Sequence, residues 1–210
     1  LRHFWPMVRS EGHLDRVLDA RVRLRRFGTL ERGPMVVVNG IIVHQTGGAT
    51  AQSTFNSYQK SLFGAHFLVD KDGAVHQTAS LYKRTNHVGL LRSRCLARHS
   101  CAPAELKALQ KAAPRTENRI EQRKSFPDRF PSNRDSIGIE LVGEYRSNPD
   151  FGNVRGADEF LYVPVTVEQN AVFRWLVSEL RATLKVAAEE VYRHPTVSFK
   201  TSSEAVGATW

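Results

Sequence analysis

Two short runs of almost unbroken aliphatic residues constrain this chain most: residues 35–43 (MVVVNGIIV) and 136–143 (SIGIELVG). Both are rich in β-branched residues and read as buried strands. Asn39-Gly40 splits the first run and is the strongest short hairpin signal, so residues 35–38 and 41–43 are expected as two paired strands. No apolar run approaches the roughly 18–20 residues that span a bilayer.

Helical and turn signals alternate with these strands. Residues 13–26 (HLDRVLDARVRLRR) carry Leu14, Val17, Leu18, Val22 and Leu24 at amphipathic spacing, predicting a helix within an N-terminal extension over 1–33. Residues 50–63 read as a helix, with Phe55, Tyr58 and Leu62 on one side. HFLVD and AVHQT flank Lys71-Asp72-Gly73, a second hairpin. Thr166 and Gln169 form a capping box ahead of a helix whose buried stripe is Val172, Trp175, Leu176, Leu180 and Leu184. Strands and helices mix without strict alternation. The expected fold is a single α/β domain with a central mixed sheet flanked by helices.

The chain has 210 residues, enough for one sizeable core, and 41% of them are hydrophobic. Its 30 Lys and Arg against 21 Asp and Glu give a net charge of +9, which favours a polyanionic partner. No helix-turn-helix, zinc-finger spacing or aromatic RNA-binding signature accompanies that charge, so nucleic acid is not the expected partner. The anionic bacterial envelope suits it as well. Residues 1–12 lack the charge, apolar stretch and cleavage site of a signal peptide. The absent initiator Met reads as a processed form or a domain of a longer protein.

His44 closes an apolar strand and is followed by Thr46-Gly47-Gly48, where glycines let a substrate approach the backbone. A lone histidine at a strand end is more often structural. His194, in YRHP, also ends a strand, and two such histidines can meet over one sheet edge. Catalytic zinc takes three protein ligands and keeps a fourth position for water. A carboxylate base and a cation for the oxyanion complete such a site. Glu140 interrupts an apolar strand, and Lys200 lies near His194. Taken singly, the first reads equally as a solvent-facing residue and the second as a loop lysine.

Together these segments resemble the zinc-dependent N-acetylmuramoyl-L-alanine amidases and peptidoglycan recognition proteins. IIVHQTGG resembles the family's first-ligand strand, GAHFLVDKDGAVHQ its central hairpin, and YKRTNHVG a segment ending in Trp-His-Ala-Gly. SIGIELVG is close to the family's SIGIELEG, and HPTVSFKTS resembles its second-ligand loop. The resemblance implies Zn2+ held by His44 and His194, Glu140 helping to activate the attacking water, and Lys200 stabilising the oxyanion. His87 and Thr46 would contact substrate. The implied reaction cleaves the amide between N-acetylmuramic acid and L-alanine of peptidoglycan.

The family's third ligand, Cys or Asp, falls at Ser202. A neutral hydroxyl is a poor zinc ligand beside thiolate or carboxylate. Ser202 then binds weakly, or Glu204 reaches in, or the domain is a non-catalytic peptidoglycan-binding module. A substitution introduced to trap an inactive form would look the same. Glu140 and Lys200 have little purpose in a pure binder, which favours the enzyme. Gln45 stands where the family often has a second histidine.

Residues 91–135 form a basic insertion rich in Arg, Lys, Pro and Ser, with a short helix near 104–112. It is expected either as a groove wall, with Arg92 and Arg94 meeting stem-peptide carboxylates, or as a solvated surface loop. Cys95 and Cys101 can pair within it, as suits an oxidising compartment. The expected partner is peptidoglycan or its muropeptides, acted on in the periplasm or outside the cell as a lysin or antibacterial effector. A cytoplasmic recycling enzyme is the alternative. A monomer is expected, with an inhibitor or immunity protein as a further partner.

Overall fold

The structure, a computed structural model, describes residues 7–10, 13–17 and 19–210, with side chains from Asp19 onward. Residues 1–6, 11, 12 and 18 lie outside the described residues, and with them much of the segment read as lacking a signal peptide and part of the expected N-terminal helical extension.

The elements in chain order are β1 (Met7–Ser10), β2 (His13–Val17), β3 (Val22–Leu24), β4 (Gly40–Gly47), α1 (Ala51–Tyr58), β5 (Phe67–Val69) and β6 (Val75–Gln77). The insertion holds α2 (Arg94–Ala97), α3 (Pro103–Leu109) and α4 (Pro114–Glu121). Then come β7 (Ser136–Ser147), β8 (Phe160–Tyr162), α5 (Val167–Leu184), β9 (Val191–Arg193) and α6 (His194–Val197). Among the described residues the main sheet runs β3-β6-β5-β7-β4-β9, with β8 paired to the far end of β7. Strands β5, β7, β4 and β9 are mutually parallel, while β5 and β6 form the antiparallel hairpin expected around Lys71-Asp72-Gly73. The chain is thus the expected single α/β domain with a mixed sheet.

Alternation along β4 and β7 decides what each face holds. Ile41, Val43, Ile137, Ile139 and Leu141 enter the larger core, where Phe173, Leu176, Val177 and Leu180 of α5 cover them. The capping box at Thr166 and Gln169 is formed, and Leu176 and Leu180 are buried as expected. The other face is split. Leu68 and Val142 pack under Phe55 and Tyr58 of α1, while Ile42 packs with Val88, Leu91, Phe130 and Val197. Between these two apolar clusters lie His44 and Glu140.

Three local expectations differ from the structure. The described residues of 13–26 form no helix: β2 pairs with β1, and β3 pairs in parallel with β6. The Asp19 carboxylate turns the chain between them, accepting from the Arg21 backbone N–H at 2.8 Å and from its guanidinium at 2.8 and 3.0 Å. Asn39-Gly40 is not a hairpin turn. The Asn39 N–H and side-chain amide both donate to Asp135, each at 2.8 Å, aligning the entry to β4 with that of β7. Gly40 is needed because a Cβ there would stand 2.4 Å from Pro131. Residues 35–39 are accordingly irregular, with Val36 and Val37 exposed. Finally, α1 ends at Tyr58, so Leu62 projects into solvent.

The insertion is anchored to the domain, and Cys95 and Cys101 form a disulfide. Arg94 is buried and grips Glu190, just ahead of β9, through two hydrogen bonds of 3.1 and 2.5 Å. Arg129 grips Asp135 in the same bidentate way, at 3.1 and 3.0 Å. Planar guanidinium forks suit such buried carboxylates. Breaking one partner of a buried pair strands the other charge. Arg94→Ala should therefore destabilise the protein by about 3–5 kcal/mol, read as a shift in the urea or thermal unfolding midpoint.

Candidate metal centre

Strand pairing assembles the centre. In the parallel β4/β7 register His44 lies opposite Glu140, so their side chains share a face. On the other side of β4, Val43 is in register with Arg193, which sets His194, the next residue, beside His44. The two imidazole rings lie 4.1 Å apart between centroids. Glu204 enters from the C-terminal loop, where a turn closed by Glu204 N–H on the Thr201 carbonyl (3.1 Å) carries it inward. All three side chains are buried, and one ligand atom from each lies within 4.8 Å of the others.

The hydrogen-bond chemistry of this trio suits a cation. His194 Nε2 donates to the Val88 carbonyl at 2.8 Å, since a carbonyl can only accept. Its Nδ1 then faces a Glu204 oxygen at 2.9 Å, a contact that either a proton or a metal ion between the two satisfies. The same oxygen is 3.6 Å from His44 Nδ1, beyond hydrogen-bond range. Two imidazole nitrogens and one carboxylate are a donor set of catalytic zinc sites. The residues present fit a zinc ion.

Ser202 is not part of this group. Its N–H and hydroxyl both donate to Asp158, at 2.8 and 2.6 Å, and its side chain is exposed. The carboxylate that faces His194 is ten residues after it, at Glu204. Gln45 locks this loop in place: its amide donates to the Val163 carbonyl (2.9 Å) and its oxygen accepts from the Ala205 N–H (2.8 Å).

A model of the N-acetylmuramoyl-L-alanine amidase family matches residues 34–207. The chain belongs to that family. No curated protein matches the chain. Among solved structures, AmpD in its selenomethionine form resembles it with a TM-score of 0.52, at 18% identity over 94% of both chains. The catalytic domain of XlyA gives 0.50 at 18% identity, over 85% of this chain and 87% of that one. PlyL gives 0.50 at 16% identity, over 85% and 84%. At such identity the likeness is one of fold.

The centre of this amidase-family domain opens into a cleft of about 920 Å³. His44, His87, Thr46, Glu140, His194, Lys200 and Glu204 all line it. Lys200 is exposed on its lip. Thr46 spends its hydroxyl locally, donating to the Gly48 carbonyl at 3.0 Å and accepting from the Gly143 N–H at 3.2 Å. His87 lies behind His44, its Nδ1 3.0 Å from His44 Nε2. The insertion does not wall the cleft: of residues 91–135 only Asn133 lines it. Arg92 donates instead to the Pro195 carbonyl, at 3.1 Å. Sequence reasoning took Tyr58 for a packing residue, but it also lines the cleft, where its hydroxyl accepts from the Ala65 N–H at 3.5 Å. A tyrosine on a helical stripe looks the same in either role.

Burial and partners divide the acids. Burial pushes Glu140 up to about 7, against the pull of the nearby Tyr58 hydroxyl, and the charge of Glu204 adds to the rise. Burial also acts to raise Glu204, but the hydrogen bond with His194 and the nearby His44 overcome it and hold it at about 2. Burial, then the neighbouring His194, lowers His44 to about 4, leaving at pH 7 a neutral imidazole, the form a metal ion would need. Because Glu140 binds its proton more tightly folded (about 7) than unfolded (about 4.5), metal-free protein loses stability as pH rises between those values. Glu140→Gln removes that loss. Above neutrality it should exceed the parent in unfolding free energy by ~3 kcal/mol, with the gap closing below about pH 4, as denaturation across pH in chelator would show.

Proposed function

We propose that this chain is a zinc-dependent N-acetylmuramoyl-L-alanine amidase, hydrolysing the amide between the lactyl group of N-acetylmuramic acid and the stem peptide's L-alanine. The observation that carries this reading is the convergence of His44, His194 and Glu204 in a cleft that also holds Glu140. His44, His194 and Glu204 would hold the ion. When bound, zinc supplies a Lewis acid and a water acidified to a pKa of about 7.

The chain's own residues supply the rest. Glu140, with its pKa at about 7, can take a proton from water onto its carboxylate and return it to the leaving amine. Lys200 on the lip provides positive charge for the developing oxyanion. The case for a non-catalytic binding module rested on serine as third ligand, and Glu204 supplies a carboxylate instead.

The setting follows from other features. The Cys95–Cys101 disulfide supports work in an oxidising compartment, at the cell wall, over cytoplasmic recycling. The net charge of +9 suits an anionic envelope. No helix among the described residues is long and apolar enough to cross a membrane.

Mass spectrometry of material released from purified peptidoglycan tests the reading. Free stem peptides beginning at L-alanine should appear, vanish with chelator and return with zinc. Glu204→Ala should release none, while Ser202→Ala should stay near the parent. Absence of product at every zinc level would overturn the proposal. Glu140→Gln should lower kcat by about 10²–10⁴-fold with the metal retained.

A further inference from the structure

We propose that Asn133, at the close of the insertion, is a positioning residue that sets the ring tautomers of both metal-ligand histidines. The inference rests on the zinc reading above. The Asn133 side-chain oxygen accepts two backbone hydrogen bonds, from the N–H of His87 at 2.9 Å and from that of Val88 at 2.8 Å. That pair of residues in turn receives both ligand histidines. His44 Nε2 meets the His87 ring at 3.0 Å, and His194 Nε2 meets the Val88 carbonyl at 2.8 Å.

The direction of the His44–His87 hydrogen bond follows from what lies behind it. The Ser136 hydroxyl donates to the Ser132 carbonyl at 2.6 Å, so its hydrogen is spent. His87 Nε2 faces that hydroxyl oxygen at 3.2 Å and the Ser136 carbonyl at 3.3 Å. Both can only accept, so His87 carries its hydrogen on Nε2 and presents a bare Nδ1 to His44. His44 therefore donates from Nε2, and its own Nδ1 lone pair points toward Glu204. His194 reaches the same state through the Val88 carbonyl. Both histidines are thereby left as Nδ1 ligands, the arrangement in which a partner on the second nitrogen fixes ring and tautomer.

The geometry leaves little freedom. A Cβ on Gly138 would stand 2.7 Å from His87 Nδ1, so the ring fits only over glycine. Asn133 itself sits in a turn clamped by Asp135, which accepts from the Ser132 N–H at 2.9 Å and from the Ser132 hydroxyl at 3.0 Å. Arg129 holds Asp135 from the other side. The insertion thus reaches the metal centre through this turn.

Ring-nitrogen NMR of the metal-free protein tests this, together with zinc affinity measured by chelator competition. Activity is not the readout, because Asn133 also lines the cleft. In the parent, Nε2 of both His44 and His194 should carry a hydrogen. Asn133→Ala should lose that bias and weaken zinc binding about 10–100-fold, while Asn133→Asp, which keeps the accepting oxygen, should stay within about threefold. His87→Leu, which removes one acceptor and leaves the Asn133 clamp, should release His44 alone and keep the Nε2–H of His194. It decides the matter if Asn133→Ala does not fold. Retention of both Nε2–H signals and of parental affinity in Asn133→Ala, or equal weakening in Asn133→Asp, would overturn the inference. Failure of the parent to bind zinc would sink the metal reading alone, and the ring nitrogens would still decide the role of Asn133.

Discussion

Parallel pairing of β4 with β7 puts His44 abreast of Glu140, and the rest of the centre depends on that register. A slip of β4 by one residue would send His44 into the core under α5 and leave Glu140 alone on the other face. The opposite side of β4 pairs with β9, so the same strand also delivers His194. The polar residues do not interrupt a continuous core. They occupy the gap between the α1 cluster and the one built on Ile42 and Phe130, and each cluster is apolar enough to hold its half of the sheet covered.

Within that gap, two glutamates, Glu204 buried and Glu140 partly so, meet opposite fates for a simple reason. Burial penalises both charges. Glu204 has two histidines against it and stays ionised, at about 2. Glu140 has one tyrosine hydroxyl and feels the charge of Glu204, which leaves it at about 7. The one suited to holding a cation and the one suited to exchanging protons are thus distinguished by their partners.

Much of this was legible in the sequence. The strands that carry His44 and Glu140, the hairpin at Asp72-Gly73 and the capping box at Thr166 each follow from local pattern, although β4 runs on past His44 to Gly47 where the sequence had His44 close it. What local pattern missed was decided by distant groups. Asn39-Gly40 has turn chemistry, yet Asp135 draws Asn39 alongside β7 and Pro131 forbids a side chain at position 40. Residues 13–26 have helical spacing, yet edge pairing with β6 claims Val22–Leu24 as strand. Of the two candidates for third ligand, Ser202 turns to Asp158 and Glu204 to His194, because loop geometry, set by Gln45 and Asp158, determines which side chain turns inward. Asn133 had no signal of its own, since its effect is exerted through the backbone of His87 and Val88.

The bridge from Gln45 to Ala205 joins residues 160 apart in the chain. Contacts of that span close a long loop and form only after most chain entropy has been given up. Sheet strands β5, β6 and β7 can pair before the C-terminal loop exists, whereas His194 and Glu204 arrive only with it. During synthesis the scaffold therefore precedes the centre. A chain halted before Val191 is a sheet that carries His44 without His194 or Glu204, so the candidate centre is assembled only once the segment after β9 has been made.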